Sequence, residues 1–120
     1  MSTTDTCCTI VPYFEVPAEH LAAFKALCDE FVAQTQTEPA CLYYGFSFDG
    51  NRAHCREGYR DAAGLLAHLK NVDALLKRAL EISKITRLEV HGPEPELAKL
   101  RAPLAALKAR FFVLECGFRN

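Results

Sequence analysis

The chain has 120 residues, a length that fits one domain with a core large enough to be stable without cross-links. Half of its residues are hydrophobic and 24% are charged, which is typical of an ordinary globular protein and excludes a disordered or fibrous one. The formal net charge of −1 argues against nucleic acid as a partner, because neutralising phosphates requires a basic surface.

The first eight residues have neither the basic start nor the apolar run of a secretory signal. No later segment approaches the roughly 18 apolar residues of a membrane span. We therefore expect a cytoplasmic protein that does not enter a membrane and whose six cysteines are reduced thiols. Their spacing contains no C-x-x-C pair, so it predicts neither a zinc site nor a thioredoxin-type site. The adjacent Cys7 and Cys8 would point to opposite faces of a strand, which argues against joint thiol chemistry.

Alternation of side chains predicts a first strand over about residues 6–14. Pro12 lacks a backbone N–H, so this strand is expected to lie at a sheet edge or to carry a bulge. A helix is predicted after Pro17, because apolar side chains recur at helical spacing from Leu21 to Phe31. Pro39 is expected to stop that helix before the next strand begins.

A β-hairpin is the next predicted element. Residues 41–48 alternate so that Tyr44 and Phe46 share a face, and strand character resumes over residues 53–59. Asp49-Gly50 between the two runs is a strong signal for a two-residue turn. The sequence therefore predicts two antiparallel neighbouring strands.

A second helical region and a fourth strand complete the predicted core. Asp61 can cap the helix, and Asn71 is expected to break it into pieces at about 61–70 and 72–81. The strand is predicted over about residues 82–91 and ends at a Gly-Pro pair. The resulting order, β-α-β-β-α-β, is the split βαβ or ferredoxin-like arrangement of an α+β fold.

Residues 93–120 form an extension beyond this core. Leucines from Leu97 to Leu107 predict a further helix, and residues 111–118 are apolar on both faces, which predicts a buried strand or a segment covered by a partner. A four-stranded sheet with helices on one face leaves its other face open. Homodimerisation of sheet against sheet would cover that face.

Residues 53–73 hold the densest set of candidate functional side chains. Glu57 and Tyr59 share one face of the predicted strand, and His68 lies on a helix that begins a few residues later, so the three could line one cavity. Arg56 points to the opposite face, which favours a solvated or dimer-contact role. Each candidate also has a structural interpretation: His68 could be a core histidine, Glu57 could pair with an arginine, and Tyr59 could serve packing.

The run Arg56-Glu57-Gly58-Tyr59, with Ala67-His68-Leu69 after it, resembles the antibiotic biosynthesis monooxygenase family of the dimeric α+β barrel superfamily. The similarity covers roughly residues 7–92, and the chain is expected to be one such domain with residues 93–120 added. In that family a strand ending Glu-x-aromatic precedes a helix with an Ala-His-Leu element. This chain departs from the family in having Tyr59 where tryptophan is usual and Asp73 near the position of a common second histidine.

The resemblance implies a small homodimer with a pocket between sheet and helices, and in some members oxygenation of a phenolic or quinol substrate without a metal or flavin cofactor. Such chemistry needs a general base, donors for a developing anion and an apolar cavity. His68 is the expected base, with Glu57 and Tyr59 as further catalytic candidates. The candidates for binding a small aromatic, quinol or polyketide-like substrate are Tyr44, Phe46, Arg56, Leu65 and Asn71.

Haem degradation occurs in the same superfamily but is expected to require a tryptophan, and this chain has none. The alternative to an enzyme is a small-ligand-binding or structural homodimer whose pocket is filled by side chains. The fold does not decide between these functions, because it hosts many unrelated activities.

Overall fold

A five-stranded sheet organises the computed structural model, which describes residues 5–120. The first four residues, on which the expectation about a secretory signal partly rests, lie outside the described residues. The strands are β1 (Cys8–Glu15), β2 (Cys41–Asp49), β3 (Arg52–Tyr59), β4 (Lys84–Gly92) and β5 (Arg110–Val113). Their order across the sheet is β2-β3-β1-β4-β5, and the neighbours are antiparallel except for the parallel pair β4 and β5.

Four α-helices accompany this sheet in the part of the chain that the structure describes. They are α1 (Leu21–Thr35), α2 (Ala62–Asn71), α3 (Asp73–Glu81) and α4 (Glu94–Leu100). Short 3-10 turns precede α1, at Ala18–His20, and follow α4, at Ala105–Leu107. The first four strands with α1 to α3 give the predicted ferredoxin-like α+β arrangement.

The core lies between the helices and one face of the sheet. Alternate residues of the central strand β1 point into it: Ile10 packs with a cluster under α2 and α4, and Phe14 packs with a cluster under α1 and α3. The hairpin turn and the start of α2 have local causes. Gly50 takes the positive φ of 59° that the turn requires, and the Asp61 side chain accepts a hydrogen bond from the Gly64 N–H at 2.8 Å, which caps α2.

For two strands the sequence left alternatives open, and the structure excludes one alternative for each. The first strand is central, between β3 and β4, and it accommodates Pro12 with a register shift between Tyr13 and Phe14 against β4. The last strand is short and is not buried within the chain, because it adds to the sheet edge beside β4, where Phe112 remains 45% exposed. The predicted helix before it ends at Leu100, and only a 3-10 turn follows.

The face of the sheet that points away from the core is partly open. Val11, Tyr13 and His54 on this face are half-buried, and Arg56 is exposed. Its aromatic rings pair with cationic or imidazole groups: Tyr13 lies 5.5 Å from the His54 ring, and Arg56 lies over the ring of Tyr43. This face could therefore contact a partner, but the core side of the sheet is where the chain encloses space.

Candidate active site

A cavity of about 300 Å³ lies between the core face of the sheet and helices α1 to α3. Most of the cavity wall is aliphatic or aromatic. The residues that form this apolar part are Ile10, Pro12, Phe14, Phe31, Phe46, Leu69, Val72, Leu76, Leu80, Ile85, Leu88 and Leu107. Its polar members are Tyr44, Cys55, Glu57, His68, Thr86, Arg87 and Lys108. The volume is in the range of small-molecule sites, and a few polar groups in an apolar wall are typical of them.

Strand alternation brings Glu57 to this cavity. Every second residue of β3 faces the helices, so Cys55, Glu57 and Tyr59 lie on the core side. In the sheet, Glu57 pairs with Ile10 of β1 and with Tyr44 of β2, which also line the cavity. A carboxylate is thus held in the middle of the sheet among apolar neighbours.

Glu57, Tyr59 and His68 form one contact group. The Tyr59 hydroxyl donates a hydrogen bond of 2.6 Å to Oε1 of Glu57, and the His68 Nε2 lies 3.2 Å from the same oxygen. Glu57 and His68 are only 3% and 2% exposed. The three side chains predicted to line one cavity are therefore in contact, but only Glu57 and His68 line it, and Tyr59 stands behind Glu57.

A fourth member of the group, Glu38, was not predicted from the sequence. It lies in the connection between α1 and β2, and its Oε2 is 2.9 Å from the His68 Nδ1. The Asn71 side-chain amide donates a 2.7 Å hydrogen bond to the same Oε2. The connection has no periodicity that could place the side chain of Glu38. The only local signal there is Pro39, which marks the end of the helix and says nothing about the direction of Glu38.

The two carboxylates determine the charge of His68. Burial lowers its pKa, but the hydrogen bonds and negative charges of Glu57 and Glu38 outweigh that effect, so the pKa of His68 is raised above its ordinary value. An imidazolium donates a proton from each ring nitrogen, which matches a carboxylate on each side. Burial also raises the pKa of Tyr44 and of Tyr59, and both phenols therefore remain protonated donors.

Three predicted substrate-binding residues lie outside the cavity wall. Arg56 is on the opposite face of β3, as strand alternation requires, so its substrate-binding assignment is corrected. Leu65 is fully buried in the cluster under α2 and α4, where it packs against Tyr59 and fills the core. Asn71 uses its side chain to bind Glu38. Tyr44 and Phe46, in contrast, do line the cavity.

The buried thiols show no sign of activation. All six cysteines fall within residues 5–120 and are free, and burial raises the pKa of Cys8 and of Cys28 to about 12. Burial likewise raises the pKa of Cys55, which lines the cavity. High pKa values oppose thiolate formation, so these thiols are not nucleophiles at neutral pH. No cluster of metal-ligating side chains suited to an ion occurs among residues 5–120, and none of the helices there has the length and apolarity needed to cross a membrane.

Solved structures define the class of the fold. An antibiotic biosynthesis monooxygenase is 20% identical over 69% of this chain and 92% of its own, with a TM-score of 0.61. A candidate antibiotic biosynthesis monooxygenase from Caulobacter crescentus is 17% identical over 72% of this chain and 88% of its own, with a TM-score of 0.64. The chain therefore has the fold of the antibiotic biosynthesis monooxygenases, as the resemblance in its sequence predicted.

One solved structure is much more similar. MupZ from Pseudomonas fluorescens is 52% identical over 100% of this chain and 94% of its own, with a TM-score of 0.95. The chain belongs to the same family as MupZ. This match spans the whole chain and so includes the C-terminal extension. No protein-family model matches the chain, and no curated protein does.

Proposed function

We propose that this protein is an enzyme that moves protons to and from a small, largely apolar molecule bound beside Glu57 and His68. The observation that carries the proposal is a buried carboxylate in contact with a buried histidine whose pKa is raised, at the wall of an apolar cavity. Holding such charges away from water costs free energy that apolar side chains of similar volume would not cost. Buried pairs of this kind in a cavity are candidates for catalytic acids and bases.

The contacts suggest a role for each member of the group. Glu57 is the base in this proposal, because it is the carboxylate that lines the cavity. His68, held as an imidazolium, is the acid that returns a proton to the substrate or its product. Tyr59 donates to Glu57 and fixes its orientation. Relative to the sequence prediction, in which His68 was the base, the proposal exchanges the roles of His68 and Glu57.

Cofactor-independent monooxygenation is the oxidative form of the proposal. Glu57 would take a proton from an aromatic, quinol or polyketide-like substrate, and the deprotonated carbon would pass electrons to dioxygen. One oxygen atom would enter the product, and the other would leave as water with two hydrogens from the substrate. The fold shared with structures named as antibiotic biosynthesis monooxygenases supports this form.

A redox-neutral reaction is the second candidate, and the charge of His68 favours it. Deprotonating a phenol or quinol for reaction with dioxygen needs a base, whereas the site holds a base and an acid in contact. Removal of a proton at one atom and delivery of a proton at another would suit an addition or elimination at an oxygen-bearing group. Neither proposal needs a metal or flavin.

Product analysis under labelled dioxygen separates these reactions. The protein would be incubated with quinols, phenols and polyketide-like hydroxy compounds, with oxygen uptake recorded and products weighed by mass spectrometry. Incorporation of the label with oxygen uptake would establish monooxygenation. A new product without label or oxygen uptake would establish the redox-neutral reaction. Thermal stabilisation by a compound that is never converted would instead support the ligand-binding alternative. The open cavity argues only against the form of that alternative in which side chains fill the pocket.

Homodimerisation belongs to the same proposal, as do a cytoplasmic location and a single domain over residues 1–120. The open sheet face and the exposed apolar groups of the last strand, such as Phe112, would gain cover in a sheet-to-sheet dimer. Six free cysteines suit a reducing compartment. Sedimentation of the protein at micromolar concentration tests the dimer.

A further inference from the structure

The imidazole of His68 is occupied on both sides. Its Nε2 faces the cavity carboxylate, Glu57, at 3.2 Å, and its Nδ1 faces Glu38 at 2.9 Å on the side away from the cavity. Glu38 is absent from the cavity wall, and its side chain is 11% exposed. Glu38 therefore cannot touch a molecule in the cavity directly, but it can act on such a molecule through His68.

Glu38 is itself held in place. Asn71, at the end of α2, donates a 2.7 Å hydrogen bond to the Oε2 that also receives the His68 Nδ1–H. The Asn71 side chain is in turn tied to the end of α1, where it donates to the Gln34 carbonyl at 3.2 Å. The carboxylate is thus anchored by two helices that pack against each other, so its distance from His68 is fixed by the fold.

The other groups that face His68 bring no charge of their own. The rings of Tyr44 on β2 and Tyr59 on β3 lie 5.3 Å and 4.9 Å from the imidazole, centre to centre. Both phenols are neutral because burial raises their pKa. The charged groups in contact with His68 are thus Glu38, from the connection before β2, and Glu57, from β3.

We infer that Glu38 is a positioning residue, which orients the imidazole of His68 and keeps it in the proton-donating form that the cavity uses. This inference rests on the proposed function, since it concerns the acid of the same site. Glu57 alone could not supply this effect through a catalytic cycle, because Glu57 would be neutralised each time it accepted a proton from the substrate. Glu38 stays outside the cavity wall, so it does not receive the proton of the substrate.

Titration of His68 by NMR tests the inference without a substrate. The histidine rings would be isotopically labelled, His68 assigned by the loss of its signal in His68→Gln, and its pKa measured in the wild type, Glu38→Gln and Glu30→Gln. Glu30 is the matched control, because this glutamate lies on α1, ahead of the connection that carries Glu38, but pairs with Arg78 at the surface. We expect Glu38→Gln to lower the pKa of His68 by about 1–3 units, the effect of an opposite charge at this distance, and Glu30→Gln to leave it unchanged.

An unchanged pKa of His68 in a folded Glu38→Gln variant would overturn the inference. If Glu38→Gln does not fold, Glu38→Asp is used in its place, because it shortens the side chain by one methylene and withdraws the carboxylate from the His68 Nδ1. A lowered pKa of His68 in Glu38→Asp supports the inference, and an unchanged pKa refutes it. With a converted compound in hand, Glu38→Gln should move the alkaline limb of the rate profile to lower pH. A protein that shows the pKa shift but converts no compound would keep this inference and reject the proposed enzyme.

Discussion

Replacing His68 with alanine should destabilise the protein strongly, because it leaves a buried carboxylate and a partly buried one facing each other across an empty site. The His68 side chain is 3% exposed, and those of Glu38 and Glu57 are 11% and 4% exposed. Removing one partner of a buried ion pair typically costs about 3–5 kcal/mol. We expect His68→Ala to fall in this range, which is a large part of the stability of a domain of this size.

A second background separates the charge effect from the cavity that the truncation creates. In Glu38→Gln/Glu57→Gln both carboxylates are replaced by neutral amides, so adding His68→Ala opens the same space but leaves no charge without a partner. The cost of His68→Ala should therefore be smaller in this background, with a coupling of about 0.5–3 kcal/mol, as found for residues in one network.

Urea denaturation at neutral pH and one fixed protein concentration measures the wild type and the three variants. The concentration must be constant because association with a second copy would add to the apparent stability. Equal costs of His68→Ala in the two backgrounds would refute the reasoning, since they would show that the carboxylates do not depend on the imidazole. The comparison also matters for activity assays, because a loss of activity in His68→Ala could reflect unfolding.

Three other outcomes follow from the structure. The raised pKa of His68 stabilises the fold fully below about pH 6.5, the ordinary pKa of histidine, and this stabilisation is lost as the pH rises through the pKa of His68 in the folded state. The difference in free energy of unfolding between the wild type and His68→Gln should therefore shrink as the pH rises through that range. A difference that grows with pH would contradict the assignment. Gly64→Ala should lower the melting temperature despite the higher helix propensity of alanine, because the new Cβ would lie 2.8 Å from the Cβ of Ala40; Ala40→Gly should relieve the loss, and a more stable single variant would disprove the clash. Val11→Lys should convert the proposed sheet-to-sheet dimer into a monomer in sedimentation, because it places a charge on the open sheet face. The fold should be kept, since Glu89 lies opposite position 11 on the neighbouring strand and can pair with the lysine. A dimer that persists in this variant would place the interface elsewhere.

Local patterns in the sequence were sufficient for most of the fold. Helix α1 is defined by apolar spacing between two prolines, and the hairpin is defined by alternation around Asp49-Gly50, which are all short-range signals. The break after Asn71 was also predicted and is present. The position of the last strand was not predictable in the same way, because an apolar run can be a buried strand or an exposed edge, and only the tertiary arrangement decides.

The candidate site was predictable only in part. Alternation on β3 and the helical position of His68 placed Glu57, Tyr59 and His68 together. Glu38 contacts His68 across 30 residues of sequence from a connection without periodicity, so no local pattern could reveal it. Leu65 was predicted to bind the substrate, but the side of α2 that it occupies packs into the core.

Turnover by Glu57→Gln tests the central claim most directly, because Glu57 is the proposed base and glutamine keeps its size and its contact with Tyr59. The assay uses the compound that the wild type converts, with Glu30→Gln as the matched control outside the cavity. We predict that Glu57→Gln remains folded by circular dichroism and loses turnover by about 10²–10⁴-fold, the usual contribution of a general base, while Glu30→Gln keeps wild-type turnover. A folded Glu57→Gln variant that turns over as fast as the wild type would contradict the account.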